Sequence, residues 1–359
     1  MHHLLTSCCQ SIVHCIGSFL WLHAVPETGF LRIISVCPHP HQPLGHVIPF
    51  VLPITNTVTM APSAISTPID ESNDFANGIR SLNTELDTMH LSKSLRSSTT
   101  ANALSRSSPD TLLDLVCIGF GPASLAIAIA LHDAFETSSS SSAPKALFLE
   151  KQPRFAWHAG MQLPGAKMQI SFLKDLATPR DPRSKFTFTN YLFSKGRLNA
   201  FINLGTFLPT RVEYEDYFRW CASHFESEGK VAYGMDVEGV RPCSPSTDGK
   251  VTSWEIRARD ASGKTVARRA RHVVIAVGGR PVIPLELQGV KGVAHSSAFA
   301  TTIGQIQKKE RGRRPRFAIV GSGQSAAEIY NDLSERFDES QVRLIIRGAS
   351  LRPSDDSPL

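Results

Sequence analysis

The sequence lacks the cysteine spacings that mark disulfide frameworks and metal centres. None of its seven cysteines belongs to a C-x-x-C pair, so we predict no metal site and no disulfide framework. Four of them fall in the first 37 residues and the other three are scattered, which is typical of idle or buried thiols in a reducing compartment. We therefore expect a cytoplasmic protein. The cysteines are Cys8, Cys9, Cys15, Cys37, Cys117, Cys221 and Cys243.

The chain also lacks a strong imbalance of charge. Its net charge of +6 suits small anionic ligands and does not by itself indicate nucleic acid. With 359 residues, 42% of them hydrophobic, it is long enough for two domains with a sizeable core. One basic run is open to two interpretations, a polyanion patch or a solvated connecting loop, and its place between a helical segment and a strand favours the loop. The run comprises Lys308, Lys309, Arg311, Arg313, Arg314 and Arg316.

Residues 1–60 are almost free of charge. Apart from histidines, their only charged side chains are Glu27 and Arg32. Residues 11–24 are apolar, yet no Lys or Arg precedes them, and they are too short and too interrupted for a stable membrane span. We interpret this segment as a mis-called start, with translation beginning at Met60, and a targeting peptide is the alternative.

The patterning of the chain changes near residue 111. Residues 61–110 are rich in Ser, Thr, Asn and Asp without apolar periodicity, which predicts a disordered leader. A near-continuous apolar run at 112–118 then predicts a strand buried on both faces of a parallel sheet. A helix over about 123–135 and a second apolar strand at 146–149 follow. The serine-rich tract 137–142 between them reads as a surface insertion.

The turn between the first strand and the first helix has the dinucleotide-binding pattern G-x-G-x-x-S. Gly119 permits the tight turn, and Gly121 lets the backbone approach a pyrophosphate that rests on the helix N-terminus. The small Ser124 allows the helix and strand to pack closely. Glu150 ends the next strand, where a carboxylate binds ribose hydroxyls and repels a 2′-phosphate, so this site should hold FAD or NAD rather than NADP. Its position near the start of the folded region favours FAD.

A second unit of the same design follows further along the chain. We predict a strand at 317–320, a helix over 326–337 and a strand at 342–346. Arg347 comes at the end of the strand at 342–346, in the place that Glu150 takes at the end of the second strand of the first unit. A guanidinium there binds a 2′-phosphate, so the unit should prefer NADPH. An ordinary exposed arginine is the alternative. The residues of the turn are Gly321, Ser322, Gly323, Gln324 and Ser325.

Two such units predict an α/β protein with two Rossmann-like domains, in which FAD receives hydride from NADPH. We assign residues 111–300 to the FAD domain and 315–359 to the start of the NADPH domain. Between them, residues 273–281 read as a strand and glycine turn that lead from one domain to the other.

Other classes of flavoprotein fit less well. A disulfide reductase needs a redox cysteine pair soon after the ribose site, and no cysteine lies between Glu150 and Cys221. Baeyer–Villiger monooxygenases carry F-x-G-x-x-x-H before the second nucleotide site, and residues 290–296 keep His295 without that spacing. An N-hydroxylating enzyme remains.

One block carries a more specific resemblance. Residues 168–182 (MQISFLKDLATPRDP) and 186–192 (FTFTNYL) resemble the signature of the L-ornithine N5-monooxygenases and the related lysine N6-hydroxylases. Both glycine turns, Trp157 with His158, and residues 352–358 fit the same family. The resemblance implies a class B-like flavin monooxygenase that hydroxylates the side-chain amine of L-ornithine with O2 for siderophore biosynthesis, and homotetramers in the intact family member.

The resemblance also implies residue roles. Lys174 would hold the α-carboxylate of the substrate, although by itself it reads as a surface lysine. No general base is assigned. For Phe155 and Trp157, plain core packing is the alternative. Besides Gly119, Gly121 and Ser124, the residues implied to contact FAD are Glu150, Lys151, Gln152, Phe155, Trp157, His158, Met168 and Gln169.

Family members continue well beyond the position matching Leu359. We therefore expect a NADPH domain that is incomplete at its C-terminus, a parallel sheet with an open apolar edge, and weak binding of FAD by the chain as written. Two alternatives stay open: lysine N6-hydroxylase or another flavin amine monooxygenase, and a non-catalytic fragment.

Overall fold

The chain folds as an α/β protein built on a mixed sheet with a parallel centre and a second, two-stranded parallel sheet. The computed structural model describes residues 20–25, 30–35, 111–136, 143–243, 251–310, 314–337 and 340–351. The predicted leader 61–110, the serine-rich tract 137–142 and most of residues 1–60 lie outside the described residues.

The strands of the first sheet are β1 (Leu20–Val25), β2 (Phe30–Ser35), β3 (Leu112–Ile118), β4 (Ala146–Glu150), β5 (Val231–Tyr233), β6 (Asp236–Pro242), β7 (Trp254–Arg259) and β8 (Thr265–Ile275). Their order is β1-β2-β8-β3-β4-β5, with β6 and β7 attached through β8. The centre of this sheet, β3, pairs in parallel with β4 on one side and β8 on the other, and its residues from Leu115 to Cys117 are fully buried. A run of apolar side chains without alternation suits a strand covered on both faces.

The β8 strand is longer than the sequence predicted. The sequence predicts that the alternating pattern of residues 254–258 resumes after a turn at 260–263 and is followed by an apolar strand at 273–277, whereas β8 is one continuous strand from Thr265 to Ile275. Its first half forms an antiparallel hairpin with β7, whose turn is closed by the Gly263 N–H donating to the Asp260 carbonyl at 2.9 Å. Its second half is the parallel neighbour of β3. One strand thus serves a hairpin and a parallel sheet.

The far side of β8 is covered by the first described segment of the chain. β2 pairs with β8 in parallel, with Phe30 opposite Val273, and β1 pairs with β2 in antiparallel register. β1 is therefore the outermost strand on this side of the first sheet.

Helices cover the sheet and form its main core. Helix α1 (Pro122–Glu136) follows β3 directly, and α4 (Arg211–Ser227) packs against it, so that aliphatic side chains of α1 meet the aromatic side chains of α4. Thr210 caps α4 by accepting from the Glu213 N–H. The helices are α1 (Pro122–Glu136), α2 (Phe188–Ser194), α3 (Leu198–Asn203), α4 (Arg211–Ser227), α5 (Phe299–Lys309) and α6 (Gln324–Arg336). None in the described part of the chain combines the length and apolar run needed to cross a membrane.

The second sheet consists of β9 (Arg316–Val320) and β10 (Gln341–Ile345), which are parallel, with α6 between them in sequence. Met161 and Leu163, from the first part of the chain, are also members of the hydrophobic core beside this sheet. The two glycine-turn units therefore share a packed boundary.

Candidate functional site

The first glycine turn is wedged between three strands. Gly119 has a φ of +92°, and a Cβ there would lie 2.4 Å from the Ala276 carbonyl oxygen, so no other residue fits. The Gly119 N–H donates to the Leu149 carbonyl at 2.8 Å, which ties the turn to β4. A Cβ on Gly121 would meet nothing within 4 Å. Ser124 is fully buried at the start of α1. The turn is thus tight on its sheet side and open at Gly121.

Glu150 reaches the turn directly. One carboxylate oxygen accepts from the Phe120 N–H at 2.7 Å, and the other accepts from the Gln152 N–H at 2.8 Å. A carboxylate offers about four lone-pair positions, so capacity for further donors remains. The strand-end acid and the glycine turn, 30 residues apart in sequence, form one structure.

The residues after Glu150 divide into exposed and packed ones. Lys151 and Gln152 are exposed, and Lys151 forms an ion pair with Asp236 at 2.8 Å. Phe155 is only 4% exposed and packs edge-on against Phe120, so the structure places it in the core. Trp157 is half-buried beside the rings of α4 and keeps part of its surface accessible.

His158 holds a left-handed backbone conformation, with a φ of 45°, that few residues other than glycine adopt. Its pKa lies below the usual range, because surrounding protein desolvates the imidazole and because the Arg211 guanidinium disfavours a second positive charge. The residue as a whole keeps an exposed surface, which limits this effect. The neutral form of His158 is favoured.

The predicted substrate segment runs alongside the chain that leads into α4. The Met168 N–H donates to the Pro209 carbonyl, and the Arg211 N–H donates to the Ala166 carbonyl, both at 2.8 Å. Met168 is half-buried against the main core, whereas Gln169 and Lys174 are exposed. Lys174 is held through its backbone, whose carbonyl accepts from the Tyr214 hydroxyl at 3.2 Å.

Asp175, next to Lys174, is a functional-segment residue that sequence reasoning missed. Its side chain is buried and accepts from the N–H groups of Ala177, Thr178 and Phe188 and from the Thr178 hydroxyl. Burial raises its pKa, and these donors oppose that rise. A signal was present, since Asp and Thr three residues apart favour such a local turn. Asp175 fixes the fold of the segment that carries Lys174.

The second glycine turn repeats the first with a looser fit. The Gly321 N–H donates to the Ile345 carbonyl at 3.0 Å, as Gly119 does to Leu149. A Cβ on Gly321 would come no closer than 3.7 Å to Ala326, and one on Gly323 would meet nothing within 4 Å. Ser322 and Gln324 are half-buried, and Ser325 is exposed.

The register of the two sheets corrects the predicted match between Glu150 and Arg347. β10 ends at Ile345, one residue earlier than predicted. Ile345 corresponds to Leu149, because the backbone carbonyl of each accepts a hydrogen bond from the N–H of the first glycine of its turn. Ile346 therefore corresponds to Glu150, and Arg347 corresponds to Lys151. Arg347 still lies at the carboxyl edge beside Gly321, and its side chain is exposed.

An ion pair joins the two glycine-turn units. Both Arg211 guanidinium nitrogens, Nη1 and Nη2, bind the Glu328 carboxylate at 2.7 and 2.8 Å, and the two side chains are only 15% and 19% exposed. The Gln324 amide donates to the same carboxylate at 2.6 Å. Arg211 also donates to the Met161 carbonyl at 3.3 Å. These contacts connect the start of α4 to α6, the helix that begins at the second glycine turn. Arg211 and Glu328 are 117 residues apart in sequence, so no local pattern predicts their contact.

Gly160 lies at the same boundary. A Cβ there would stand 1.8 Å from the Ser297 carbonyl oxygen, so two backbones are in direct contact. Sequence reasoning did not select Gly160, because only a distant segment makes a side chain impossible there, and its φ is not positive.

Two glycine turns at the carboxyl ends of parallel strands, joined through a packed boundary, define an α/β protein of the two-dinucleotide class. Residues 111–359 match the family model described as L-lysine 6-monooxygenase/L-ornithine 5-monooxygenase. The chain belongs to this family.

Individual relatives agree with the family match. The chain is 53% identical over 260 residues to an L-ornithine N(5)-monooxygenase of Cochliobolus heterostrophus, covering 69% of this chain and 48% of that protein. The solved ornithine hydroxylase (PvdA) of Pseudomonas aeruginosa is 39% identical with a TM-score of 0.61, covering 69% of this chain and 58% of that one. The Kutzneria sp. 744 ornithine N-hydroxylase, solved with reduced FAD, NADP+ and L-ornithine, is 36% identical with a TM-score of 0.61, covering 69% of this chain and 56% of that one. The chain spans about half the length of the curated relatives that it matches.

Proposed function

We propose that the protein is a flavin- and NADPH-dependent monooxygenase that hydroxylates the side-chain amine of L-ornithine with O2. The product, N5-hydroxyornithine, would supply the hydroxamate groups of siderophores. The observation that carries the proposal is the engagement of Glu150 with the first glycine turn, in a chain of this family that also holds a second turn.

FAD fits the first turn. The open space at Gly121 and the N-terminus of α1 suit a pyrophosphate. The remaining lone pairs of Glu150 suit ribose hydroxyls, and its charge disfavours a 2′-phosphate. Trp157, His158, Met168 and Gln169 are the proposed contacts closer to the ring system, while the burial of Phe155 limits it to a supporting role.

NADPH fits the second turn. Gly323 has open space comparable to that of Gly121. The corresponding strand end carries Ile346 in place of an acid, so no carboxylate at that position repels a 2′-phosphate. Arg347, one residue further, is free to bind that phosphate with its guanidinium, which is well suited to bidentate phosphate contacts. The Ser322 and Ser325 hydroxyls would complete the site.

Bound FAD, once reduced by NADPH, supplies the chemistry that activates O2 for transfer of one oxygen atom to the amine. The residues of the chain position the amino acid for that transfer. An alkylamine with a pKa near ~10.4 is mostly protonated in water and is not nucleophilic, so the site must favour the neutral amine by partial desolvation. Lys174 would bind the α-carboxylate at the other end of the substrate and so select for chain length.

The substrate assignment is tested by Lys174→Ala in the purified chain, with Lys264→Ala, an exposed lysine in a distant hairpin turn, as the control. We expect the first change to raise KM for L-ornithine about tenfold or more, the worth of one charged hydrogen bond, and to leave flavin absorbance unchanged. The control should change neither. An unchanged KM removes Lys174 from the substrate site.

The same assay separates the alternatives. L-lysine outperforming L-ornithine in substrate-dependent NADPH oxidation would replace the substrate proposal with lysine N6-hydroxylation. FAD binding without any amine-dependent NADPH oxidation would favour a non-catalytic fragment. A cytoplasmic location, homotetramers of the full-length protein, and the division into an FAD domain (111–300) and a NADPH domain (315–359) belong to the same proposal.

A further inference from the structure

A second group of ligand-type side chains lies away from both glycine turns, where the C-terminal ends of α1 and α4 meet. His132 lies on α1, about 15 Å along that helix from the first glycine turn at 1.5 Å per residue. His224 lies in the last turn of α4, and Glu228 is its C-cap. One potential ligand atom from each of the three lies within 4.8 Å of the other two.

The cluster is already arranged by its surroundings. His224 and Glu228 are four residues apart on one helical face, and their Nε2 and Oε1 atoms are 3.4 Å apart. The His132 and His224 rings are 4.9 Å apart. Phe186 packs edge-on against both rings, at 5.2 and 5.1 Å, and Phe225 also contacts both. The imidazoles therefore keep their relative positions without help from an ion.

The type of ligand points to one class of cation. Two imidazoles and one carboxylate suit zinc and the neighbouring transition metals, whereas magnesium prefers oxygen ligands alone. Three protein ligands leave a fourth position for water, and a cavity of about 270 Å³ lined by His132, Glu228 and Lys230 gives it room. The C-terminal ends of two helices also carry partial negative charge, which favours a cation.

Lys230 opposes such a cation. Its Nζ lies 2.7 Å from Glu228 Oε2, so it competes for the carboxylate, while Oε1 is the oxygen nearer His224. The Lys230 side chain is 35% exposed and has room to move into solvent. An ion at this site must displace this ammonium or share Glu228 with it.

We propose that His132, His224 and Glu228 form a site for a divalent cation of the zinc class, which links the C-terminal ends of α1 and α4. Sequence spacing gave no such prediction, because His132 is 92 positions before His224. The site does not depend on the proposed flavin chemistry, since its ligands lie outside both glycine turns and the segment around Lys174.

The test is a zinc titration of the chelator-treated full chain by calorimetry, read as the difference between variants. Other histidines and cysteines in residues 1–60 contribute background, which the variants share. Glu228→Gln and His224→Gln should each lower the zinc affinity of the proposed site at least tenfold, and Lys230→Met should raise it severalfold. His295→Gln, a half-buried histidine in a different segment, is the matched control and should leave it unchanged.

Two further readouts define coordination. Cobalt(II) in place of zinc should give visible absorption bands that Glu228→Gln weakens, and magnesium should not compete. Thermal unfolding without metal checks that each variant is folded, and Lys230→Met keeps the test informative if a ligand variant is not. Zinc affinity and stoichiometry that stay unchanged in the folded Glu228→Gln and Lys230→Met proteins would overturn the proposal.

Discussion

The two glycine-turn units share a sequence pattern but differ in how firmly the surrounding structure fixes them. In the first unit, β3 is buried on both faces, and Gly119 is pressed against the carbonyl of Ala276. In the second, Val320 is 63% and Ile345 51% exposed, and no backbone approaches Gly321 as closely. The same motif is therefore a rigid part of the core in one place and a looser surface turn in the other.

The largest expected effect comes from adding one methyl group at each turn. Gly119→Ala combines a φ of +92° with a 2.4 Å clash, and should lower the free energy of unfolding by about 3 kcal/mol. Gly321→Ala, at a φ of +142° and with no contact under 3.7 Å, should cost about 1 to 2 kcal/mol. Denaturant unfolding of both variants measures this, and equal losses would contradict the difference in rigidity.

The next effect concerns the boundary between the units. Glu328→Gln removes the charge that faces Arg211 and should lower unfolding free energy by about 2 kcal/mol, since the pair is largely but not fully buried. Asp236→Asn is the control: its ion pair with Lys151 has side chains 72% and 54% exposed, so the loss should stay below about 0.5 kcal/mol. If the two variants unfold alike, the ion pair does not join the units.

A smaller effect distinguishes Arg347 from its structural counterpart, Lys151. Arg347→Ala should raise KM for NADPH about tenfold, or about 1.4 kcal/mol, because a charged contact to the 2′-phosphate is lost. KM for NADH should not change, since NADH lacks that phosphate. Lys151→Ala, in the matching position of the first unit and on the FAD side, should leave the ratio of the two KM values unchanged. A parallel rise for NADH would assign Arg347 to another role.

The smallest effect is a pH dependence at His158. Its pKa is lowered from 6.5 in the folded state, so the unfolded chain binds the proton first as pH falls. The resulting stability is fully present above pH 6.5 and is lost as pH falls from 6.5 toward the folded pKa. His158→Gln should flatten the difference in melting temperature between about pH 7.5 and about pH 5.5. The pKa of His224 is also lowered, but His224 is present in both proteins, so its contribution to the pH dependence cancels in the comparison. An unchanged slope would show that His158 titrates as in solution.

Much of the first unit followed from sequence. The apolar run predicted β3 with its observed bounds, and the pattern G-x-G-x-x-S predicted the turn at Gly119. These predictions succeed because burial on both faces and a positive φ leave direct marks on residue choice. The match between Glu150 and Arg347 was wrong by one position, because only hydrogen-bond register fixes which residues correspond.

The features that sequence reasoning missed all depend on distant segments. Asp175 reads as one acid among many until Phe188, 13 residues later, donates to it in the interior. Arg211 with Glu328, and His132 with His224, come from separate helices. Local patterns carry no information about such pairs.

The sequence by itself determined that this protein has two parallel-strand units, each opening a helix at a glycine turn. The reason is that strand burial and turn geometry act on neighbouring residues. Only the tertiary structure decided how the units meet, through the ion pair of Arg211 with Glu328 and the backbone contact at Gly160. Both depend on the distance between atoms of segments that are more than a hundred residues apart in the chain.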